Sequence, residues 1–149
     1  MGIKVIAKNK RARYDYFIDE EFEAGLVLQG TEVKSLRAGK VTMGESYVAI
    51  DNDGEAWIYN MTISHYEFGN INNHDETRKR KLLLNKDEIE KLQHLVNAAR
   101  KTIVATMIYF KGSRVKIQIA LARGKQMHDK RQDQAKKDVE RKLQQRDYT

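Results

Sequence analysis

Cysteine and proline are both absent from this chain of 149 residues. Without cysteine the chain can form no disulfide, no thiolate zinc site and no cysteine nucleophile. An average composition would include about seven prolines at this length. No apolar run approaches the roughly 20 residues of a membrane-spanning helix, and the start, residues 1–6, lacks the apolar region of a secretion signal. We therefore expect a cytoplasmic protein that does not enter a membrane.

Basic side chains outnumber acidic ones in the sequence. Lys and Arg total 28 and Asp and Glu total 21, which gives a net charge of +7 and an isoelectric point near 9.5. Such a balance favours a polyanionic partner, because each phosphate that Lys or Arg neutralises releases condensed counterions. The alternative is a basic protein that has no such partner.

The basic residues gather in four places along the chain. They are Lys8–Arg13, the group Lys34, Arg37 and Lys40, the run Arg78–Lys81, and Arg123–Lys125 continuing to Lys130 and Arg131. Any one run is more often a solvated face than a binding site. Several clusters around one small domain could instead follow the backbone of a folded RNA, which offers phosphates, 2′-hydroxyls and unstacked bases.

Two hairpins and one helix have clear sequence signals. Asp53-Gly54 between residues 47–50 and 56–59 predicts a hairpin turn. Alternating apolar residues from Val115 to Leu121 predict a second hairpin with residues 102–110. Asn85, followed three residues later by Glu88, predicts a helix start, and the apolar side of that helix is predicted to hold Ile89, Leu92, Val96 and Ala99.

The remaining elements have weaker signals. Residues 14–28 read as strand, with Gly25 a candidate bulge or close backbone approach. A short helix is predicted over residues 31–37, with Thr31 as its N-cap and Gly39 ending it. Residues 67–81 read as a loop, and Leu82-Leu83-Leu84 as a strand or the approach to a helix.

These elements predict a mainly β fold. Short antiparallel strands with one main interposed helix and a short second helix favour an oligonucleotide-binding-type β-barrel. Residues 14–123 would form the barrel, and residues 1–13 a mobile or surface-laid basic arm. Residues 124–149 would form a basic tail with too narrow an apolar stripe to dock on a core, disordered alone and able to become helical on a partner.

The sequence shows little that would support catalysis. The four histidines are scattered, none of them in a His-Glu-x-x-His arrangement, and the serines lack nucleophile-elbow glycines. His74, Asp75 and Glu76 could form part of a metal-dependent nuclease site, but one His beside two carboxylates is a weak signal. We therefore expect a binding protein without catalytic residues, bound metal or cofactor, and keep the nuclease as an alternative.

Several longer motifs resemble the small protein B family of transfer-messenger RNA-binding proteins. The matching segments cover nearly the whole chain and include residues 9–18, 22–25, 28–40, 73–75, 80–84, 124–125 and 128–131. The uninterrupted block Leu28-Gln29-Gly30-Thr31-Glu32-Val33-Lys34-Ser35-Leu36-Arg37-Ala38-Gly39-Lys40 is not a common pattern. The resemblance implies an oligonucleotide-binding-type barrel that grips the tRNA-like domain of transfer-messenger RNA.

The resemblance implies site residues for two partners. Asn9, Glu23 and Leu83 match family positions tied to RNA binding, although Leu83 could equally be a core residue. Together with the basic clusters, the predicted RNA-binding residues are Asn9, Lys10, Arg11, Arg13, Glu23, Lys34, Arg37, Lys40, His74, Arg80, Lys81, Leu83 and Lys125. The segment His128, Asp129, Lys130 and Arg131 matches the part that engages the small-subunit decoding centre of the ribosome, with the tail in the messenger channel.

The resemblance also implies how the chain acts. A monomer would deliver transfer-messenger RNA to stalled ribosomes and stand in for the codon–anticodon half of a transfer RNA. A general RNA-binding translation factor or ribosomal protein is the alternative. The chain departs from the family where proline is common, at Glu76, Lys79 and Ala105, so we interpret it as a proline-free variant whose refolding lacks prolyl-isomerisation phases of roughly tens of seconds.

Overall fold

A computed structural model describes residues 2–68 and 73–147, with side chains through residue 141. Its elements in chain order are β1 (Ile3–Lys8), α1 (Lys10–Asp15), β2 (Tyr16–Leu26), α2 (Gly30–Arg37), β3 (Val41–Thr42), β4 (Tyr47–Ile50), β5 (Ala56–Tyr59), β6 (Thr62–Ile63), β7 (Arg80–Leu83), α3 (Lys86–Ala99), β8 (Thr102–Lys111), β9 (Arg114–Gly124) and α4 (Met127–Asp147).

Seven of the described strands form one antiparallel sheet that closes on itself. The order β1-β8-β4-β5-β7-β2-β9 is completed by pairing of β8 with β9. β8 closes the barrel because its first half pairs with β4 and its second half with β1, while β9 lies along its other edge. This confirms the predicted mainly β, oligonucleotide-binding-type barrel.

The barrel interior is filled by alternate residues of the strands. Ile108 of β8 and Ile117 of β9 lie opposite each other and are fully buried, and Ile58 of β5 is buried with them in the same core. Closing a sheet into a barrel leaves few free strand edges, so the outward-facing residues of β2, β7, β8 and β9 form one continuous surface.

Both predicted hairpins are present. β4 pairs with β5 around Gly54, whose φ of 76° is the left-handed conformation that the turn needs and that glycine adopts without strain. β8 pairs with β9 around Gly112, where φ is 64°. The run Leu82-Leu83-Leu84 contributes to strand β7 and does not begin the following helix.

The main helix α3 begins as predicted. The backbone N–H of Asn85 donates to Glu88 Oε1 at 3.0 Å, and the helix ends at Arg100 in the left-handed conformation. Leu92 is buried, and Leu95 and Val96 pack against the core. Ala99 is exposed, so its predicted place on the apolar side was wrong.

The prediction of a mobile or surface-laid arm over residues 1–13 was wrong. Ile3–Lys8 is strand β1, paired with β8 from Ile3↔Lys111 to Lys8↔Met107, and Lys10–Asp15 is helix α1. A single amphipathic turn of helix and a strand of mixed polarity carry too little periodicity to be recognised in sequence. Residues 1–13 therefore include part of the sheet that surrounds the core.

The N-cap of helix α2 lies two residues before the predicted one. Its N-cap is Gln29, whose backbone N–H donates to Glu32 Oε1 at 2.9 Å. Thr31, the predicted cap, instead hydrogen-bonds His74. The side of α2 that faces the protein holds Glu32, Ser35 and Leu36, all buried.

The tail differs from the prediction of disorder in the free chain, because it forms helix α4 (Met127–Asp147). From Gln134 to Arg141 its side chains are exposed, so this part packs against no core. This part of α4 is stabilised by local hydrogen bonds, such as the one from Gln134 Nε2 to Asp138 Oδ1 at 3.2 Å.

We expect the exposed part of α4 to open often in solution. Isolated helices without packing are marginal in water, so amides of residues 134–141 should exchange within seconds at neutral pH, whereas those of β8 and β9 should be protected near the global free energy of unfolding. Hydrogen exchange followed by NMR measures both. Protection of residues 134–141 equal to that of β9 would contradict this expectation.

Candidate nucleic-acid interface

A row of paired residues crosses the outer surface of four strands. Leu83 of β7 lies opposite Gly25 of β2, Gly25 opposite Lys116 of β9, and Lys116 opposite Tyr109 of β8. Leu83 is 55% exposed, so its alternative interpretation as a core residue was wrong. We call this surface, with Glu23 and Lys111 beside the row, the sheet face.

Gly25 lies against the Leu83 side chain; it forms neither of the predicted features, since its register is regular and the atoms that approach it belong to a side chain and not to another backbone. A Cβ added at Gly25 would lie 3.3 Å from Leu83 Cβ and 3.4 Å from its Cδ1, tighter than most real contacts. The missing side chain lets the leucine lie across β2. An apolar group is thereby held at the β7 end of the sheet face, beside polar side chains.

Glu23 stands two residues before Gly25 on the same side of β2. The Tyr109 hydroxyl and Lys111 Nζ (3.3 Å) both donate to its carboxylate. The bond from Tyr109, followed by that from Lys111, holds the pKa of Glu23 below its usual value. Burial and the adjacent carboxylate raise the pKa of Tyr109. At neutral pH the partly exposed carboxylate is therefore ionised, oriented, and able to accept further hydrogen bonds from RNA.

The prediction that Arg80 contacts RNA was wrong. Its side chain is fully buried, and its Nε donates to Glu32 Oε2 at 2.5 Å. Its remaining N–H groups donate to backbone carbonyls, including Met61 O at 2.7 Å and Glu76 O at 3.0 Å. Arg78 supplies a second cation, 2.5 Å from Glu32 Oε1. Arg80 therefore holds the loop before β7 against α2.

The sequence did not identify Glu32 as a partner for these arginines. Burial raises the pKa of Glu32, but bonds from Arg78, the Gln29 N–H and Arg80 outweigh burial and lower it. The signal that could have found it is the spacing of Glu32, Ser35 and Leu36 on one side of a short helix. A glutamate on the buried side of a helix needs a cationic partner.

The predicted contact of His74 with RNA was also wrong. The ring is 2% exposed, with Nε2 2.8 Å from Ile63 O and Nδ1 2.8 Å from Thr31 Oγ1. Because a carbonyl only accepts, Nε2 carries the proton and Nδ1 accepts from the Thr31 hydroxyl. Both nitrogens are used, which argues against the alternative nuclease site with Asp75 and Glu76. Among the side chains of residues 2–68 and 73–141, no three His, Asp or Glu are placed to hold a metal ion.

Asn9 acts inside the protein and not as a direct contact. Its side chain is buried, donates to Ala105 O at 2.8 Å and Gly44 O at 3.2 Å, and accepts from Ala12 N–H at 3.2 Å. It is the N-cap of α1. The predicted RNA contact through this side chain was therefore wrong, since Asn9 fixes α1 and the cations on it.

Replacing Asn9 by alanine should lower the free energy of unfolding by about 2–3 kcal/mol, since it removes a cap and takes this donor away from the buried Ala105 carbonyl and the half-buried Gly44 carbonyl. Urea denaturation measures the change. Asn97→Ala on the exposed side of α3 is the matched control and should shift stability by less than about 0.5 kcal/mol. Equal midpoints for the two variants would contradict the assigned role.

Most of the other predicted RNA-binding cations are exposed. These are Lys10, Arg11, Arg13, Lys34, Arg37 and Lys40. Two of those on α2 lie over aromatic rings, Lys34 over Tyr66 at 5.3 Å and Arg37 over Phe110 at 6.0 Å. On β7, Lys81 is half-buried and 3.0 Å from Glu55.

The predicted ribosome contacts lie in the first turns of α4. His128 and Arg131 are exposed. Asp129 accepts from the Gln126 N–H at 3.1 Å and so caps its own helix. Lys125 and Lys130 are half-buried, and their ammonium groups bind carboxylates within the protein. Of the basic cluster that ends at Arg131, these two lysines are therefore already paired, whereas Arg131 is exposed.

Comparison with known proteins identifies the family. A model of the SmpB protein family matches residues 6–148. The chain belongs to the SmpB family. An SsrA-binding protein of Lachnoclostridium phytofermentans is 56% identical over 140 residues, covering 94% of this chain and 90% of that protein. Another, from Geotalea uraniireducens, is 51% identical over 141 residues, covering 95% and 93%.

A solved SmpB-family structure supports the same assignment. This structure, described as "tmRNA-SmpB: a journey to the center of the bacterial ribosome", matches at a TM-score of 0.68 with 47% identity, covering 81% of this chain and 85% of the other. The two relatives named above are thus named for binding SsrA, and the solved structure for tmRNA together with SmpB. Among the described helices, none combines the length and apolarity needed to span a bilayer.

Proposed function

We propose that this chain binds the tRNA-like domain of transfer-messenger RNA and delivers it to stalled ribosomes, where incomplete proteins are tagged and the ribosome is released. Membership of the SmpB family supports this function. The sheet face links this proposed function to particular residues. Leu83 is an exposed apolar side chain on the outer surface of β7, and the ionised Glu23 lies near it on β2.

The sheet face can recognise RNA by shape and hydrogen bonding. Leu83 offers apolar contact to an unstacked base, and Glu23 accepts from ribose hydroxyls or base amino groups. Lys111 and Lys116 border Glu23 and attract the phosphates around such a nucleotide. Phosphate contacts fix orientation without reading sequence, so the exposed cations of α1 and α2 would hold the RNA in register on the barrel.

The tail supplies the ribosomal contact in this proposal. α4 extends from the barrel as an exposed basic helix, with His128 and Arg131 at its start. The first turn would reach the decoding centre, where His128 can stack on a base, and the rest would lie in the empty messenger channel. The chain catalyses nothing in this scheme; it positions transfer-messenger RNA where a codon–anticodon pair would otherwise stand.

Reconstituted translation on a messenger without a stop codon tests the function. With transfer-messenger RNA present, adding the full chain should release ribosomes and append the tag to the stalled product. A variant ending at Gln126 keeps the barrel and should bind the RNA but fail to tag. Tight RNA binding by the full chain with no tag would contradict the proposed function.

A further inference from the structure

The start of the tail is held by a set of contacts with the segment that includes α1. The Lys125 N–H donates to Asp15 O at 2.8 Å, and Lys125 Nζ donates to Arg13 O at 3.1 Å. Lys125 Nζ also bonds the Asp133 carboxylate and lies 5.1 Å from the Phe17 ring centre. Lys125 therefore ties the end of β9, the first turns of α4 and α1 together through one side chain.

A second lysine makes a parallel connection. Lys130 Nζ is 3.0 Å from Asp15 Oδ1 and 5.3 Å from the centre of the Tyr14 ring. Its side chain is 21% exposed and that of Asp15 is 29% exposed. The hydrogen bond from Lys130 holds the pKa of Asp15 below its usual value, and the bond from Lys125 lowers that of Asp133.

These contacts lie on one side of α4. In its first two turns Asp129, Lys130 and Asp133 are half-buried while their neighbours are exposed, and a spacing of three or four residues puts them on one side of a helix. From Gln134 to Arg141 the side chains are exposed. The direction in which α4 leaves the barrel is therefore set at its first two turns.

We propose that Asp15, Asp133, Lys125 and Lys130 form a clamp that sets the direction of α4, so that the two lysines act on the tail and not directly on RNA. Asp15 is then a positioning residue on the barrel side of the clamp. The consequence of the clamp for ribosome rescue rests on the proposed function. Without the clamp, α4 would sample many directions and would seldom point along the messenger channel when the RNA is delivered.

A distance measurement tests the clamp without assuming any function. Because the chain has no cysteine, cysteines introduced at the exposed Thr42 and at the exposed Gln132, within the first two turns of α4, can be spin-labelled as a single pair. The full chain should give a narrow distance distribution, and Asp15→Lys a broad one. Adding Lys130→Asp to Asp15→Lys should restore the narrow distribution. Unchanged widths in all three proteins would overturn the clamp.

Tagging by the same variants separates a clamp from a direct contact. Each single charge reversal should lower tagging by about fivefold or more, the effect of losing roughly 1 kcal/mol of an ion pair and adding repulsion. The double reversal should recover most of the activity. If Lys130 instead contacts ribosomal phosphate, the double variant would stay inactive although its distance distribution is restored, and the functional role of the clamp would be overturned.

A matched control exists between α3 and β2, outside the clamp. Lys91 of α3 pairs with Glu20 of β2 at 2.6 Å and lies 5.9 Å from the Phe22 ring centre, the same combination of carboxylate and ring. Reversing this pair should leave tail distances and tagging unchanged. If the unsubstituted chain itself fails to tag, the proposed function fails, while the distance measurement still decides whether the clamp exists.

Discussion

Replacing Glu32 by alanine should lower the free energy of unfolding by about 3–5 kcal/mol, because it leaves a buried guanidinium without its counterion. Arg80 is fully buried and ion-paired to Glu32, and Arg78 shares the same carboxylate. Glu32 also accepts from the Gln29 N–H at the start of α2. The substitution would loosen α2 and the segment before β7 together.

Urea denaturation measures this effect, and Glu32→Gln provides a folded variant if the alanine protein is too unstable. The glutamine keeps an acceptor for Arg80 but not the charge, so the stability of Glu32→Gln should lie between that of the unsubstituted chain and that of Glu32→Ala. Glu55→Ala removes an exposed partner of Lys81 and should change stability by less than about 1 kcal/mol. A Glu32→Ala midpoint as high as that of Glu55→Ala would show that the ion pairs contribute little.

The same group gives the stability a pH dependence. The pKa of Glu32 is lower in the folded chain than its ordinary value of 4.5, so the unfolded chain binds the proton more readily. Its contribution is therefore complete above the ordinary pKa and is lost as pH falls through the lowered, folded value. Between pH 7 and acid, Glu32→Gln should lose stability less steeply than the unsubstituted chain. Parallel curves would contradict this coupling.

Replacing Glu23 by alanine should weaken binding to the tRNA-like domain of transfer-messenger RNA by about tenfold to a hundredfold, the range expected for hydrogen bonds to a charged acceptor. The carboxylate is ionised, oriented by Tyr109 and Lys111, and 38% exposed. It faces outward from the barrel, so the free energy of unfolding should fall by about 1 kcal/mol or less.

Affinity and urea denaturation, measured on the same protein, separate recognition from folding. Glu90→Gln, on the exposed side of α3, is the control for loss of one negative charge and should change neither. Glu23→Gln keeps an acceptor oxygen without the charge and should bind with intermediate affinity. If Glu23→Ala binds as tightly as the unsubstituted chain, the sheet face is not the recognition surface.

The parts of the fold that could be predicted have local causes. Asp53-Gly54 determines a turn through its own backbone preference, and the Asn85–Glu88 pair caps a helix within one turn. The alternation from Val115 to Leu121 reflects burial on one side of a strand. β1 and α1 could not be recognised because their stability comes from β8, about a hundred residues away in sequence.

Site residues could be predicted from sequence only where the exposure of a side chain follows from the residues close to it in the chain. Charged runs suggested Arg80 as an RNA contact, but its burial depends on Glu32, 48 residues earlier, which no window of sequence connects to it. The burial of His74 likewise depends on residues distant in sequence, since its hydrogen-bond partners are Thr31 and Ile63. Glu23 and Leu83 came from resemblance to a family. The structure places them on one surface because Leu83 lies opposite Gly25, two residues after Glu23 on β2.

Binding of the full chain to the tRNA-like domain and to an ordinary transfer RNA, across a salt titration, decides whether the barrel recognises the tRNA-like domain specifically. Nonspecific phosphate contacts weaken steeply with salt, whereas recognition at Leu83 and Glu23 should persist. We expect tighter binding to the tRNA-like domain that survives at high salt and is lost in Glu23→Ala. Equal affinities for both RNAs, falling together as salt rises, would contradict it.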